Sequence, residues 1–148
     1  MKLLVCVDGS KESDKTLSKT VELSSGCRID KVTLMVVFQK IAFPFVESAE
    51  TNDSEIMESF NMMNEELMRQ HERILEESAT KLRDQGVDPE VMMKEGRPAP
   101  TIAEVADKEG YDLIVIGSRG RSGQQASTLG SVSNAVIQAT NTSVLVVK

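Results

Sequence analysis

Residues 112–133 read DLIVIGSRGRSGQQASTLGSVS, and the fold follows from how this stretch is read. Asp112-Leu113-Ile114-Val115-Ile116-Gly117 is a short, nearly unbroken apolar run rich in β-branched side chains, the pattern of a strand buried on both faces. A glycine- and serine-rich loop follows, and then a segment with helical character from about Gly130 to Thr140. Strand, glycine loop and helix in that order are the makings of a βα unit.

Working outward, the same alternation recurs along the chain. Residues 2–7 (KLLVCV) form an apolar run that ends in Asp8-Gly9-Ser10, a turn and helix start. Residues 11–25 carry Leu17 and Val21 at helical spacing and stop near Gly26. Val32 to Phe38 reads as a second strand by its length and β-branching. A connection over 39–52 contains Phe43-Pro44-Phe45, whose expected place is against the sheet edge, with a lid or a partner contact as the alternative. From about Asp53 to Gln85, Ile56, Phe60, Met63, Leu67, Ile74 and Leu82 mark the apolar stripe of one long amphipathic helix. Met57, Met62, Met63 and Met68 on that helix are expected to fill core, with a partner groove as the alternative. Val87 to Met93 is the third strand. Gly96-Arg97-Pro98 opens a helix closed by Gly110, and Ser143 to Val147 is the last strand. Alternating strands and helices predict an α/β fold, an open parallel sheet with helices on both faces, in one domain over 1–148. Ligands in such sheets bind beyond the carboxyl ends of strands where strand order reverses, which directs attention to the loops after the first and fourth strands.

Composition narrows the function. With 148 residues and a formal net charge of -6, the chain has no basic face for duplex nucleic acid or an anionic membrane. No apolar stretch approaches the roughly 18 to 20 residues of a membrane helix. Cys6 and Cys27 have no Cys or His clustered with them, which argues against a zinc site and fits a reducing cytoplasm; both read as buried thiols, with a redox role as the alternative. His71 is the only histidine and belongs to the long helix, where it reads as a solvated or packed side chain, so no histidine-based triad can be assembled.

The loop has the spacing G-x2-G-x9-G-S, from Gly117 through Gly120 to Gly130-Ser131, with a further glycine at Gly123. Glycines admit phosphate oxygens to backbone N–H groups and tolerate the positive φ of tight loops. The helix starting near Gly130 adds free N–H donors and the positive end of its dipole. Ser131 and Ser133 are candidates either for hydroxyl contacts to an anion or for helix caps. Arg119 and Arg121 supply positive charge. No G-x-x-x-x-G-K-[ST] occurs, so this is not a Walker loop, and at most weak ATP hydrolysis is expected.

Those residues, together with the VCVDGS start, the LMVVF second strand, the EGRPAPTIAEVA helix start and the terminal VLVV, give a chain that resembles the universal stress protein family along its whole length. The resemblance implies a five-stranded parallel sheet of order 3-2-1-4-5, of the adenine-nucleotide alpha-hydrolase-like class, usually in a homodimer. It implies a stress-response protein that binds ATP, or ADP or AMP, and because a loop with no Walker lysine needs a cation to share the triphosphate charge, Mg²⁺ or Mn²⁺ is expected with it. Cys6, Val7 and Asp8 would lie near the nucleoside, and Val37 would face the adenine. Ile116 and Gly117 would border the base, while Gly117, Ser118, Arg119, Gly120, Arg121, Ser122 and Gly123, with Gly130, Ser131, Val132 and Ser133, would hold the phosphates. Asp8 would accept from ribose hydroxyls or orient a hydrated cation; as a turn residue it would instead bind its own Gly9-Ser10 backbone. The resemblance also implies an unidentified protein partner. Arg97 stands where the family often starts a helix with an acid, Ser143 stands where it often has proline, and Gln124-Gln125-Ala126-Ser127 is unusually polar. A dimeric scaffold without nucleotide and a slow ATPase are the competing readings.

Overall fold

The computed structural model describes residues 1–42, 53–120 and 129–148. The Phe43-Pro44-Phe45 segment and loop residues Arg121, Ser122, Gly123 and Gln124 to Ser127 lie outside them. The elements run β1 (Lys2–Cys6), α1 (Lys11–Gly26), β2 (Lys31–Phe38), α2 (Asp53–Arg83), β3 (Glu90–Glu95), α3 (Pro98–Glu109), β4 (Leu113–Gly117), α4 (Ser131–Ala139) and β5 (Ser143–Val147). All pairings are parallel and the order is β3-β2-β1-β4-β5, as expected. Strand order therefore reverses between β1 and β4, the two strands followed by the candidate loops.

Successive strand residues point to opposite faces, and both faces are covered. Leu3, Val5, Leu34, Val36 and Val115 join Leu17 of α1 and Leu75, Ala79 and Leu82 of α2 in one core. Leu4, Cys6, Met35, Ile114 and Ile116 join Ile102 and Ala106 of α3 and Val136 of α4 in the other. Tyr111 donates its buried hydroxyl to Thr33 Oγ1 at 2.9 Å, tying the start of β4 to β2. Asp107 on α3 accepts hydroxyl hydrogen bonds from Thr140 and Thr142 at 2.7 and 2.9 Å, which hold its carboxyl below the usual range and tie down the turn before β5. Gly110 closes α3 in the left-handed region at φ 66°, where a side chain would be strained.

Three sequence expectations are corrected. The third strand begins at Glu90 and not at Val87. Val87 is buried, but its N–H goes to Leu82 O at 3.0 Å in the turn that ends α2, and Pro89 intervenes before pairing with β2 starts at Thr33↔Glu90. The long helix buries only its second half. His71, Leu75, Ser78, Ala79 and Leu82 face the sheet, whereas Ile56, Met57, Met62 and Met63 are exposed. A helix of 31 residues is about 46 Å long, and the eight residues of β2 reach only about 26 Å, so the first half of α2 outruns the sheet. Cys27 is exposed just past α1, and only Cys6 is buried.

Candidate functional site

The site is built from one row of side chains across three strands. Met35, Cys6 and Ile116 occupy the same level of β2, β1 and β4 and share a face. Val37, two residues beyond Met35, continues that face toward the open end of the sheet. Pro98 and Ile102, one turn apart on α3, close the apolar side. Together they form one wall of a cavity of about 290 Å³. Burial pushes the Cys6 thiol up to about 12, so this wall stays uncharged.

The opposite wall is polar. Asp8 leaves the end of β1 and folds back on its own turn: Ser10 N–H and Ser13 Oγ–H each donate to Asp8 Oδ1 at 2.9 Å, and Asp8 N–H donates to Ser13 Oγ at 3.0 Å. The turn role weighed for Asp8 is thus present. Its other oxygen, Oδ2, faces the loop, 2.8 Å from where a Cβ on Gly120 would stand. A side chain at Gly120 would push the Asp8 carboxylate aside.

The far end of the loop is anchored on one carbonyl. Ser118 O accepts from Gly130 N–H at 2.6 Å and from Ser133 Oγ at 3.2 Å, and Ser118 N–H reaches Val147 O at 2.7 Å. Ser133 Oγ also lies 3.0 Å from Gly130 O. The hydroxyl of Ser133, 2 % exposed, is thus engaged with loop backbone. The N-cap of α4 is Gly130, without a side-chain cap, so neither Ser131 nor Ser133 serves as the N-cap. Residues 131–133 instead form the first turn of α4, whose N–H groups have no partner within the helix and border the cavity. Gly130 has φ -61°, open to any residue, and among the described residues neither Gly117 nor Gly120 adopts positive φ. Close approach is what these glycines supply; the expected left-handed backbone is not found at them.

Of the expected site residues, Cys6, Val7, Asp8, Val37, Ile116, Gly117, Arg119, Gly120 and Gly130 to Ser133 line the one cavity. Ser118 is buried beside it as the anchor. Arg121, Ser122 and Gly123 lie outside the described residues. Sequence reading missed Ser10, Ser13, Met35, Pro98 and Ile102. Met35 was within reach by period-two alternation from Val37, but placing α3 over the sheet required the tertiary structure. Among the described residues, two enclosed polar atoms at this site, Ser10 Oγ and Arg119 Nε, have no hydrogen-bond partner. Such atoms ordinarily find one. His71 stays away from the site: its Nδ1 lies 2.7 Å from Leu67 O and its ring packs on Phe38 at 5.8 Å.

The chain as a whole has counterparts among known proteins, in sequence and in fold. The chain is 34% identical over 148 residues to the universal stress protein YxiE of Bacillus subtilis, covering 99% of this chain and 98% of that one. The solved structure of MJ0577 from Methanocaldococcus jannaschii superposes with a TM-score of 0.79 at 26% identity, covering 99% of this chain and 94% of that one. A universal stress protein from Arabidopsis thaliana with AMP bound matches at a TM-score of 0.62 and 20% identity, covering 100% and 91% of the two chains. Two others, in complex with cAMP and with dAMP, match at 0.65 and 0.62, with 22% and 23% identity; each covers 100% of this chain, and the matches cover 97% and 98% of those chains. Matched against whole families, residues 1–148 fit the universal stress protein family, and with a relative this similar over nearly its full length, the chain belongs to that family.

Proposed function

We propose that the chain binds an adenine nucleotide, ATP or its shorter forms ADP and AMP, and reports its occupancy to a protein partner in the cytoplasm during stress. The base lies along Cys6, Met35, Val37, Ile102 and Ile116, and the phosphates meet the 117–123 loop and the first turn of α4. The observation that carries this reading is the two-walled cavity at the switch point, where an apolar slot opens onto a helix N-terminus beside the unpartnered Arg119 Nε. Solved relatives with AMP, cAMP and dAMP bound support the same ligand class. Binding in preference to turnover is the better reading, because the loop has no Walker lysine and His71 is packed against Phe38.

Mg²⁺ or Mn²⁺ fits this site only as a companion of the nucleotide. Among the described residues no three His, Cys, Asp or Glu side chains are grouped to hold a metal, and Asp8 Oδ1 already accepts from Ser10 and Ser13. Most oxygen ligands would come from phosphates and water, with Asp8 as the nearby carboxylate. Calorimetry with and without Mg²⁺ tests this: ATP should bind roughly tenfold tighter with the ion, about 1.4 kcal/mol. Equal affinities would remove the metal from the site, and no binding at millimolar ATP would favour the scaffold reading.

Assembly is proposed through β5. It stands at one edge of the sheet, with Val144, Leu145 and Val146 half-buried and no charged residue between Ser143 and Val147. Such an edge pairs readily with a second strand. Sedimentation of a chain truncated after Thr142, once circular dichroism shows that it folds, should give a monomer where the full chain is a dimer. A folded truncation that stays dimeric would place the interface elsewhere.

A further inference from the structure

Ser10 holds the N-cap position of α1 without acting as a cap. Its backbone, at φ -76° and ψ 168°, is right for one, yet its side chain makes no hydrogen bond to the first turn, where a serine at this position ordinarily meets a free N–H. The hydroxyl is enclosed instead, has no hydrogen-bond partner among the described residues, and belongs to a residue that lines the nucleotide cavity. Buried hydroxyls are almost always paired, and a partner missing within the chain can come from what the cavity holds.

The turn around Ser10 is well tied. Asp8 Oδ1 accepts from Ser10 N–H and Ser13 Oγ–H, both at 2.9 Å, and Asp8 N–H donates in return to Ser13 Oγ at 3.0 Å. Ser13 is buried, so Ser10 is presented on a frame arranged before any ligand arrives. Asp8 stands two residues beyond Cys6 of the apolar wall, and its Oδ2 faces Gly120 of the glycine loop. The turn from Asp8 to Ser10 therefore lies between the wall assigned to the base and the loop assigned to the phosphates, where a nucleotide carries its sugar.

Charge agrees with that place. A carboxylate repels a phosphoryl group and accepts no hydrogen bond from an ionised one, whereas a sugar hydroxyl both donates and accepts. A serine hydroxyl beside a carboxylate matches such a group in both respects. Arg119 Nε, the other enclosed atom without a partner, is part of a cation and suits the phosphates, which leaves Ser10 to the neutral part of the ligand.

We propose that the Ser10 hydroxyl bonds a ribose hydroxyl of the bound nucleotide and makes the site selective for ribonucleotides over deoxyribonucleotides. The inference rests on the nucleotide reading of this cavity and adds to it the sugar that the cavity prefers.

Calorimetry with ATP, 2′-deoxy-ATP and 3′-deoxy-ATP, on the parent chain and on Ser10→Ala, tests it. At least one deoxy analogue should bind the parent chain roughly fivefold more weakly than ATP, the worth of one neutral hydrogen bond. In Ser10→Ala, ATP should fall to that level while the analogue stays where it was, so that the ratio closes to one; a ratio taken within one chain is free of any general effect of the variant. The melting temperature should hold, because no cap bond is lost. Both analogues binding the parent chain like ATP would overturn the proposal. So would a ratio that survives in Ser10→Ala; joined to a melting temperature lower by about 4 °C, it would assign the hydroxyl to capping α1. If Ser10→Ala weakens ATP only when Mg²⁺ is present and leaves the ratio unchanged, the hydroxyl serves the cation and the proposal falls. No binding of ATP by the parent chain at millimolar concentration would remove the nucleotide reading itself, whereas ATP binding without preference between the sugars removes only this inference.

Discussion

Gly130→Val should abolish nucleotide binding, with at least a roughly hundredfold loss of affinity, about 2.7 kcal/mol, in a chain that still folds. The backbone at Gly130 suits valine well enough, at φ -61° and ψ 157°. The obstacle is space. A Cβ there would stand 3.0 Å from Ser118 O and 3.3 Å from Arg119 Cα. Both are backbone atoms, which cannot swing aside as a side chain can, and valine adds two methyl groups to the contact. The Gly130 N–H bond to Ser118 O would stretch, and the first turn of α4 would separate from the 117–120 arm it is meant to work with. Gly130 is only half-buried and outside both cores, so the melting temperature should change little. Calorimetry with ATP checks the result, and an unchanged dissociation constant in a folded variant would remove the phosphates from this loop. Gly117→Val is less informative, since its Cβ would meet Glu12 Cβ at 3.2 Å and Arg119 O at 3.3 Å at the end of a core strand.

Leu34→Ala should do the opposite, lowering stability by about 3 kcal/mol and leaving the affinity of the folded fraction near the parent value. Leu34 is fully buried on β2, between β1 and β3, and packs toward α1 and α2. Its neighbour Met35 points to the other face, where it lines the cavity. For a chain of this size the melting temperature should fall by roughly 6 to 12 °C. Urea unfolding would measure the loss, with binding measured well below the new midpoint. A loss under about 1 kcal/mol would mean that β2 presents the other face to this core.

Leu34→Ala spares the site because a strand sends adjacent residues to opposite faces, and much of that was legible beforehand. Apolar runs of five to eight residues separated by helical stripes are enough to predict a parallel sheet covered on both faces. The glycine spacing was local too, since 117, 120 and 130 belong to one loop and one helix start. The reason given for those glycines was less accurate. Left-handed backbone was expected, but Gly130 is crowded by Ser118 O, a backbone atom that the fold brings there, and Gly120 by the movable carboxylate of Asp8.

What the sequence by itself determined, then, is whatever depends on neighbours along the chain: the order of elements, the alternating core of β1, β2 and β4, the closing of α3 at Gly110, and the loop that borders the cavity. The tertiary structure alone decided which residues meet across it. Pro98 and Ile102 reach the cavity because α3 crosses over the sheet. Met57 and Met63 stay outside the core because α2 is longer than the strands it covers, a mismatch of lengths invisible in a periodic pattern. Helical periodicity states which residues share a face; only the partner's extent states how much of that face is buried.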